Sequence, residues 1–516
     1  MKEFKLYVNG QDLDTGIYRY YPYTDMIIVY PKETLAVIDD LKRGREVADS
    51  EKFIYAKYCV AKEDTNQLAI NSAYEASQEF KLFPLKVRKN ICLDITRILE
   101  ARKKDLLELL ILEGHPRELA EWELRGMKIG GNSQAMDFYS SNIFKKINSR
   151  KNEIIWKVRR ADGVVCVCPP ANASASNSYL SVFSFLAGNA LIIKPPLTNP
   201  ISTIYLWKNI ISEALANHKA PIGTLNIIVG NSQLIMNEWL ASPYVNDILF
   251  FGNSKVGLEL GAKIYAAGKK PILELSGNDM QIVWKDAVLD KAIDSAMDCF
   301  LGSTQICMVP KIILIHEDIY DEFVSGISQQ IQRIHIGLPS DPKTRLSPVT
   351  RIQDFYRLLE DALANGAKLL CGGKRVNYKG DEDEEGVYIQ PTLLSIDFDE
   401  EISKMLFFKE EIFFPLLPLI KTSGTDEEIF QKMATLADMN QYGLRISVWT
   451  RSKHYAQRCM ERLTNSGLLR INLPHVEFSP FVSTHGGTRR SGGPFGEMNY
   501  VWEKTSHMQG ISKYRP

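Results

Sequence analysis

Apolar positions along the chain follow two rhythms. Between 68 and 115 they recur at three- and four-residue spacing, through LAINSAYEASQEF and again through ICLDITRILEARKKDLLELLILE, which predicts amphipathic helices. Pro84 separates the two runs, because proline has no N–H to donate. From 163 the pattern changes to short unbroken apolar runs. GVVCVC, ALIIKP, LNIIVG and DILFFG read as parallel strands covered on both faces. The turn PPANASASNS, an apolar helix to Leu186 and a helix over 201–217 lie between them, and PILEL and MQIVW continue the series. After about 277 the alternation restarts. A helix over 288–301 precedes the strand KIILIH, the helices IYDEFVSGISQQIQRI and VTRIQDFYRLLEDALANG, the strands LLPLI and LRISVWT, and the helix KHYAQRCMERLTNS. This order predicts βαβ units and an α/β fold with doubly wound sheets. The segment IIWKVRR (154–160) is expected to leave the body of its domain as a strand with an unpaired edge.

A length of 516 residues corresponds to two to four domains at roughly 100–200 residues each. Lys+Arg and Asp+Glu number 62 each, which argues against whole-chain nucleic-acid binding. The start MKEFKLYVNGQDLDTG has no apolar signal region, and no apolar run approaches the ~20 residues of a membrane span. Eight cysteines without a secretory signal fit reduced thiols in a cytoplasmic protein. Cys166 and Cys168, inside VVCVC, match neither a zinc knuckle nor a CxxC pair and read as core thiols. No metal site is expected.

Four segments carry residue types that suggest chemistry. In DILFFGNSKVG a strand runs into Gly252 and Asn253, and Gly257 follows at a helix start; helix N-termini hold phosphate, yet an ordinary strand-to-helix turn has the same pattern. Lys194 ends ALIIK, where ligands of α/β sheets bind, or is a solvated strand end. Glu274, between Leu273 and Leu275, suits a base whose pKa burial raises, or an edge-facing carboxylate. Cys307 in FLGSTQICMVPK has no cation nearer than Lys311, and locally reads as a buried thiol rather than an activated one.

Taken together and in order, these segments resemble the aldehyde dehydrogenase superfamily over nearly the whole chain. PPAN resembles Pro-Trp-Asn, GNALIIKP the strand with the ribose-binding lysine, FFGNSKVG the Phe-Thr-Gly-Ser turn and LELSGND Glu-Leu-Gly-Gly-Lys; GSTQICMVPK resembles Gly-Gln-x-Cys and GGTRRSG the C-terminal Gly-Gly-x-x-x-Ser-Gly. The resemblance implies a Rossmann-type cofactor domain (1–142 and 163–275), a catalytic domain (276–488) and a small oligomerisation sheet (143–162 and 489–516). It implies Cys307 as nucleophile, Glu274 as the base that activates water, and Asn172 with the Cys307 N–H as oxyanion donors. Lys194, Gly252, Asn253, Gly257, Glu411 and Phe413 would contact NAD or NADP. The activity implied is NAD(P)-dependent oxidation of a small-molecule aldehyde to an acid, by a homodimer or homotetramer. Acyl-thioester reduction at the same cysteine, or a non-catalytic relative, are the alternatives.

Some positions depart from the family. Leu197 stands where a carboxylate often binds the adenine ribose, which leaves NADP open. Ala171, Ser276 and Phe414 replace Trp, Gly and Gly. The region around 17–55 is longer and more aromatic than the usual N-terminus. The tail HGGTRRSGGPFGEMNYVWEKTSHMQG resembles aldehyde dehydrogenases that oxidise CoA-linked semialdehydes of aromatic catabolism.

Overall fold

The strands Val164–Cys168, Ala190–Ile193 and Leu225–Ile227 are buried along their whole length, as apolar runs without alternation require. In the computed structural model, which describes residues 1–150 and 152–514, they are three neighbouring strands of a seven-stranded sheet. Its spatial order is Lys270–Glu274, Val245–Phe251, Val164–Cys168, Ala190–Ile193, Leu225–Ile227, Leu6–Val8 and Gln11–Leu13. The first five strands are parallel and the last two antiparallel. The chain winds outward from Val164–Cys168, then returns to its other side with Val245–Phe251. Such a reversal opens a crevice beyond the carboxyl ends of the two central strands.

Helices Thr65–Phe80, Leu85–Ala101, Lys103–Leu112, Arg117–Gly130 and Ser133–Ile143 precede the parallel strands of this sheet in the chain. Pro84 caps the second of them with an extended ψ of 139°. The helical rhythm therefore holds, but it is cut into more pieces than its periodicity alone indicates.

A second seven-stranded sheet has the order Lys368–Cys371, Thr392–Asp397, Leu416–Thr422, Pro310–His316, Asp279–Val283, Arg445–Trp449 and Leu468–Ile471. Only the edge strand Lys368–Cys371 is antiparallel to its neighbour. The helix beginning at Leu289 stops at Met297, short of 301. A kinked turn with left-handed residues follows it and leads to Cys307.

In the third sheet, Glu153–Ala161 lies between Phe144–Arg150 and Ser506–Tyr514, both antiparallel to it. This corrects the expectation of an unpaired edge at IIWKVRR. The C-terminal tail folds back over 344 or more residues of sequence to cover that strand, and Arg159 holds the tail at Glu503 and Ser506. The free edges are Phe144–Arg150 and Ser506–Tyr514, and they expose Phe144, Ile147, Met508 and Tyr514.

The N-terminal extension adds a small sheet, Lys2–Phe4 and Tyr18–Pro22 flanking Ile54–Cys59. It docks on the first lobe. The Tyr58 hydroxyl donates to the Leu197 carbonyl at 2.6 Å, and Thr24 donates to the carbonyl of Leu112.

Candidate active site

Four residues separate the two large sheets. Lys270–Glu274 ends the first and Asp279–Val283 begins the second, so the carboxyl end of one faces the amino end of the other. The join is tight. A Cβ on Gly277 would overlap the Cys307 carbonyl and come within 2.9 Å of Leu444 and 3.2 Å of Asp279 Oδ1. Site residues from distant segments therefore converge on this seam.

Cys307 is presented by a strained turn. Gly302, Ser303 and Thr304 all have positive φ, at 60°, 59° and 63°. Left-handed backbone costs a residue with a side chain roughly 1–2 kcal/mol, and such strain persists only where the surroundings hold it. Here the Gly302 N–H donates to the Arg345 carbonyl at 3.0 Å. Ser303 Oγ donates to the Ser347 carbonyl at 2.6 Å and Gln305 Nε2 to the Pro348 carbonyl at 2.8 Å. Asn172, just past the strand Val164–Cys168, donates through Nδ2 to the Gln305 carbonyl at 2.7 Å, tying the crevice of the first sheet to the Cys307 turn. The second N–H of that amide remains free, and the Cys307 N–H has no acceptor among the described residues. Two donors and a thiol thus line one cavity. Burial pushes the Cys307 thiol up to about 12; the carboxylate of Glu411 adds to this and the Lys311 ammonium opposes it.

Glu274 is buried at the end of its strand. Its Oε1 accepts from Asn499 Nδ2 at 2.7 Å and its Oε2 from the Gly486 N–H at 2.8 Å. Both partners are neutral, and burial dominates, raising the carboxyl to about 7. The donors come from the tail, which also bonds the join itself. The Leu275 N–H donates to the Ser491 carbonyl at 3.0 Å and Ser491 Oγ to the Ser276 carbonyl at 2.7 Å. No hydrogen bond joins Glu274 to Cys307 among the described residues. Asn499 links them by place, since it holds Glu274 and lines the cavity of Cys307.

That cavity is narrow, about 70 Å³ in volume. Its walls are aromatic and apolar: Trp122, Tyr139, Phe183, Phe478 and Trp502 among them, with no lysine or arginine. Among the described residues the one carboxylate on the wall is Glu123, with Oε1 2.8 Å from His115 Nδ1.

The remaining candidates divide by their surroundings. Lys194 is 4% exposed, so it is not a solvated strand end. Its ammonium has no hydrogen bond or ion pair among the described residues, and burial lowers its pKa. Glu411 is engaged instead: Oε1 accepts from Lys311 Nζ at 2.7 Å and from the Gly277 N–H at 3.3 Å. Lys311 also sits 5.3 Å from the centre of the Phe413 ring. Gly252 follows Val245–Phe251, and its N–H donates to the Glu274 carbonyl at 3.1 Å. Asn253 caps the helix Ser254–Ala266 through Oδ1, which accepts from the Lys255 N–H at 2.8 Å. Gly257 faces inward, and a Cβ there would overlap Leu275.

A sequence model of the Aldehyde dehydrogenase family matches residues 42–511. The chain belongs to that family. With it go the expected fold and reaction class, NAD(P)-dependent oxidation of an aldehyde. A lactaldehyde dehydrogenase of Methanocaldococcus jannaschii is 28% identical over 86% of this chain and 91% of its own length. The mitochondrial succinate-semialdehyde dehydrogenase of Arabidopsis thaliana is 29% identical over 84% and 79%. Among solved structures, a glyceraldehyde-3-phosphate dehydrogenase of Methanocaldococcus jannaschii, complexed with NADP, superposes with a TM-score of 0.74. It is 26% identical and covers 88% of this chain and 95% of its own.

Against the aldehyde dehydrogenase pattern, several contributors escape a reading of the sequence. Asn499 lies in a tail segment with no strong pattern. Lys311 is visible only as the first cation after Cys307, and its partner is 100 residues away. The cavity wall draws on the segments 119–139, 172–183, 306–308 and 478–502, and no periodicity groups them.

Proposed function

We propose that this aldehyde dehydrogenase oxidises an uncharged, largely apolar aldehyde to its acid with NAD or NADP, using Cys307 as nucleophile. The observation that carries this reading is the meeting of the thiol, the free Asn172 N–H and the Cys307 N–H on one cavity without a cationic wall residue. A carboxylate- or phosphate-bearing aldehyde would enter that cavity with no basic side chain to pair its charge, and an unpaired buried charge costs several kcal/mol.

The fit to a dinucleotide rests on Lys194, a buried ammonium with no partner of its own, beside the crevice where Gly252 and Asn253 lie. Lys194 suits a ribose hydroxyl or phosphate, and Glu411 and Phe413 suit the nicotinamide end. Gly257 acts by letting its helix close on Leu275 rather than by touching the cofactor. When bound, the cofactor accepts the hydride.

The protein's own groups do the rest. The Cys307 thiol gives up its proton to solvent, and the thiolate adds to the aldehyde carbon and forms a hemithioacetal, whose oxyanion sits on the two free N–H groups. After oxidation Cys307 carries a thioester. Glu274, poised near neutrality by burial, takes a proton from water as that water attacks the acyl carbon. The acid leaves and the thiol is restored. Retention of this base favours hydrolysis over transfer to another thiol.

Two coarser readings complete the picture. The exposed apolar edges of the third sheet favour a homodimer or homotetramer, because unpaired edges invite pairing. Eight free thiols favour a reducing compartment such as the cytoplasm. No helix among the described residues is long and apolar enough to cross a membrane.

Purified protein should reduce NAD or NADP with a medium-chain or aromatic aldehyde and no CoA. Cys307→Ala should abolish turnover while cofactor still binds. A higher kcat/KM for a dicarboxylic semialdehyde than for neutral aldehydes of the same length would sink the substrate assignment. Turnover that survives in Cys307→Ala would remove the nucleophile.

A further inference from the structure

Arg445 opens the strand Arg445–Trp449 and is 2% exposed. Burying a guanidinium costs several kcal/mol unless partners satisfy it. Here Nη1 donates to the His475 carbonyl at 2.9 Å and Nη2 to the carbonyl of Thr484. Its backbone N–H donates to Asp279 Oδ1 at 3.1 Å. Asp279 Oδ2 lies 3.2 Å from His475 Nε2, and His475 Nδ1 lies 2.8 Å from Ser447 Oγ.

This cluster stands directly behind the nucleophile. Leu444, the preceding residue, packs with Ile306, Met308, Val476 and Phe478, and Cys307 packs against that group. Gly277 brings Asp279, Leu444 and the Cys307 carbonyl together. Thr484, which Arg445 grips, lines the cavity. The arginine therefore joins the strand beside Cys307 to the far wall of the pocket.

We propose that Arg445 is a positioning residue for this reaction: clamped to the carbonyls of His475 and Thr484, it holds the wall at 475–484 against the Cys307 loop and fixes a positive charge behind the thiol. The proposal rests on the reading of Cys307 as nucleophile. Around the thiol, the carboxylates of Glu411 and Asp279 oppose ionisation, and Lys311 and Arg445 favour it. Burial lowers the Arg445 pKa to about 10; Asp279 and Cys307 favour its charge and Arg470 opposes it. His475 and His485 are buried in its field, and burial lowers the pKa of both.

The test follows alkylation of Cys307 by iodoacetamide against pH, read on its peptide by mass spectrometry, together with steady-state KM for the aldehyde. Cys307→Ala serves as the blank. Arg445→Met keeps the length and removes the charge. It should move the alkylation midpoint up, slowing labelling below the midpoint severalfold, and raise KM severalfold. A parent-like midpoint or a parent-like KM in folded Arg445→Met overturns the proposal. If that variant does not fold, Arg445→Lys decides. It keeps the charge and loses the two-armed clamp, so a parent-like midpoint with KM raised severalfold supports the proposal and an unchanged KM overturns it. Absence of Cys307 alkylation in the parent at any pH would remove the nucleophile reading and this proposal with it. A normal parent profile with unchanged Arg445 variants removes Arg445 alone.

Discussion

The two lobes treat their buried site charges in opposite ways. The first lobe leaves its site groups without a counter-ion. Lys194 has no partner, and Glu274 has only the neutral donors Asn499 and Gly486. Burial drives both toward their neutral forms, lowering the lysine and raising the carboxyl to about 7. The second lobe pairs its site charges. Lys311 meets Glu411 at 2.7 Å, and Arg445 donates through both Nη atoms to carbonyls beside Asp279. A buried group without a counter-ion gains most from a ligand or a transferred proton, whereas a paired one mainly holds structure. On the proposed function, the first lobe suits binding and proton transfer, and the second supports the proposed nucleophile.

The largest break in that comparison is Glu274→Gln. Loss of a general base typically slows the affected step by about 10²–10⁴-fold, so a burst of acylation should precede very slow turnover. In the parent, the base is the ionised form of a group near 7. Deacylation should therefore rise as pH passes through 7 and level above it, and the variant should show no such rise. Loss of the burst itself would place Glu274 before the oxidation step. Stability should move the other way. The folded pKa lies above the ordinary value of 4.5, so this carboxyl's contribution is present at low pH and lost as pH rises through about 7. The glutamine variant should be relatively more stable at pH 9 than at pH 5.

Lys311→Met tests the paired lobe. Removing one member leaves Glu411 as an uncompensated, mostly buried carboxylate, at about 3–5 kcal/mol, read by urea unfolding. Lys311→Met with Glu411→Gln should recover most of that loss in stability. A single variant as stable as the parent would mean that the pair does not hold structure.

How far the sequence made this contrast legible differs by residue. Strand positions follow from apolar runs such as VVCVC and ALIIK, because a strand covered on both faces needs no polar alternation, whereas their order across the sheet appears only in the fold. Asn172, Lys194, Glu274 and Cys307 stood out through their resemblance to a family and their positions at strand or turn ends. Their charge environments did not stand out. Lys311 and Glu411 are 100 residues apart, Glu274 and Asn499 are 225 apart, and only folding brings them together. The local reading of Cys307 as a buried thiol was also physically apt. Its pKa is pushed up, and its chemistry rests on the surrounding donors rather than on neighbours in sequence.

Lys194→Met tests the unpaired lobe. It removes an ammonium that has no internal partner, so stability should stay at the parent value or rise. Cofactor affinity should fall about 10–100-fold, or ~1.4–2.7 kcal/mol, by titration calorimetry with NAD and NADP. A larger loss for NADP would place the lysine near a 2′-phosphate, which Leu197 does not repel. Loss of stability with unchanged affinity would show that Lys194 belongs with the paired groups.

The smallest effect belongs to the turn. Thr304 holds φ at 63°, and β-branched residues fit that region poorly. Glycine there removes the strain but gives the unfolded chain more freedom, and the two oppose each other. The net change in stability should lie within about 1 kcal/mol, in favour of glycine. Turnover should nevertheless fall severalfold, because a flexible residue three places before Cys307 blurs the alignment of the thiol with the Asn172 and Cys307 N–H donors. A variant that gains stability and keeps full kcat would show that hydrogen bonds to 345–348, rather than the left-handed backbone, fix the nucleophile.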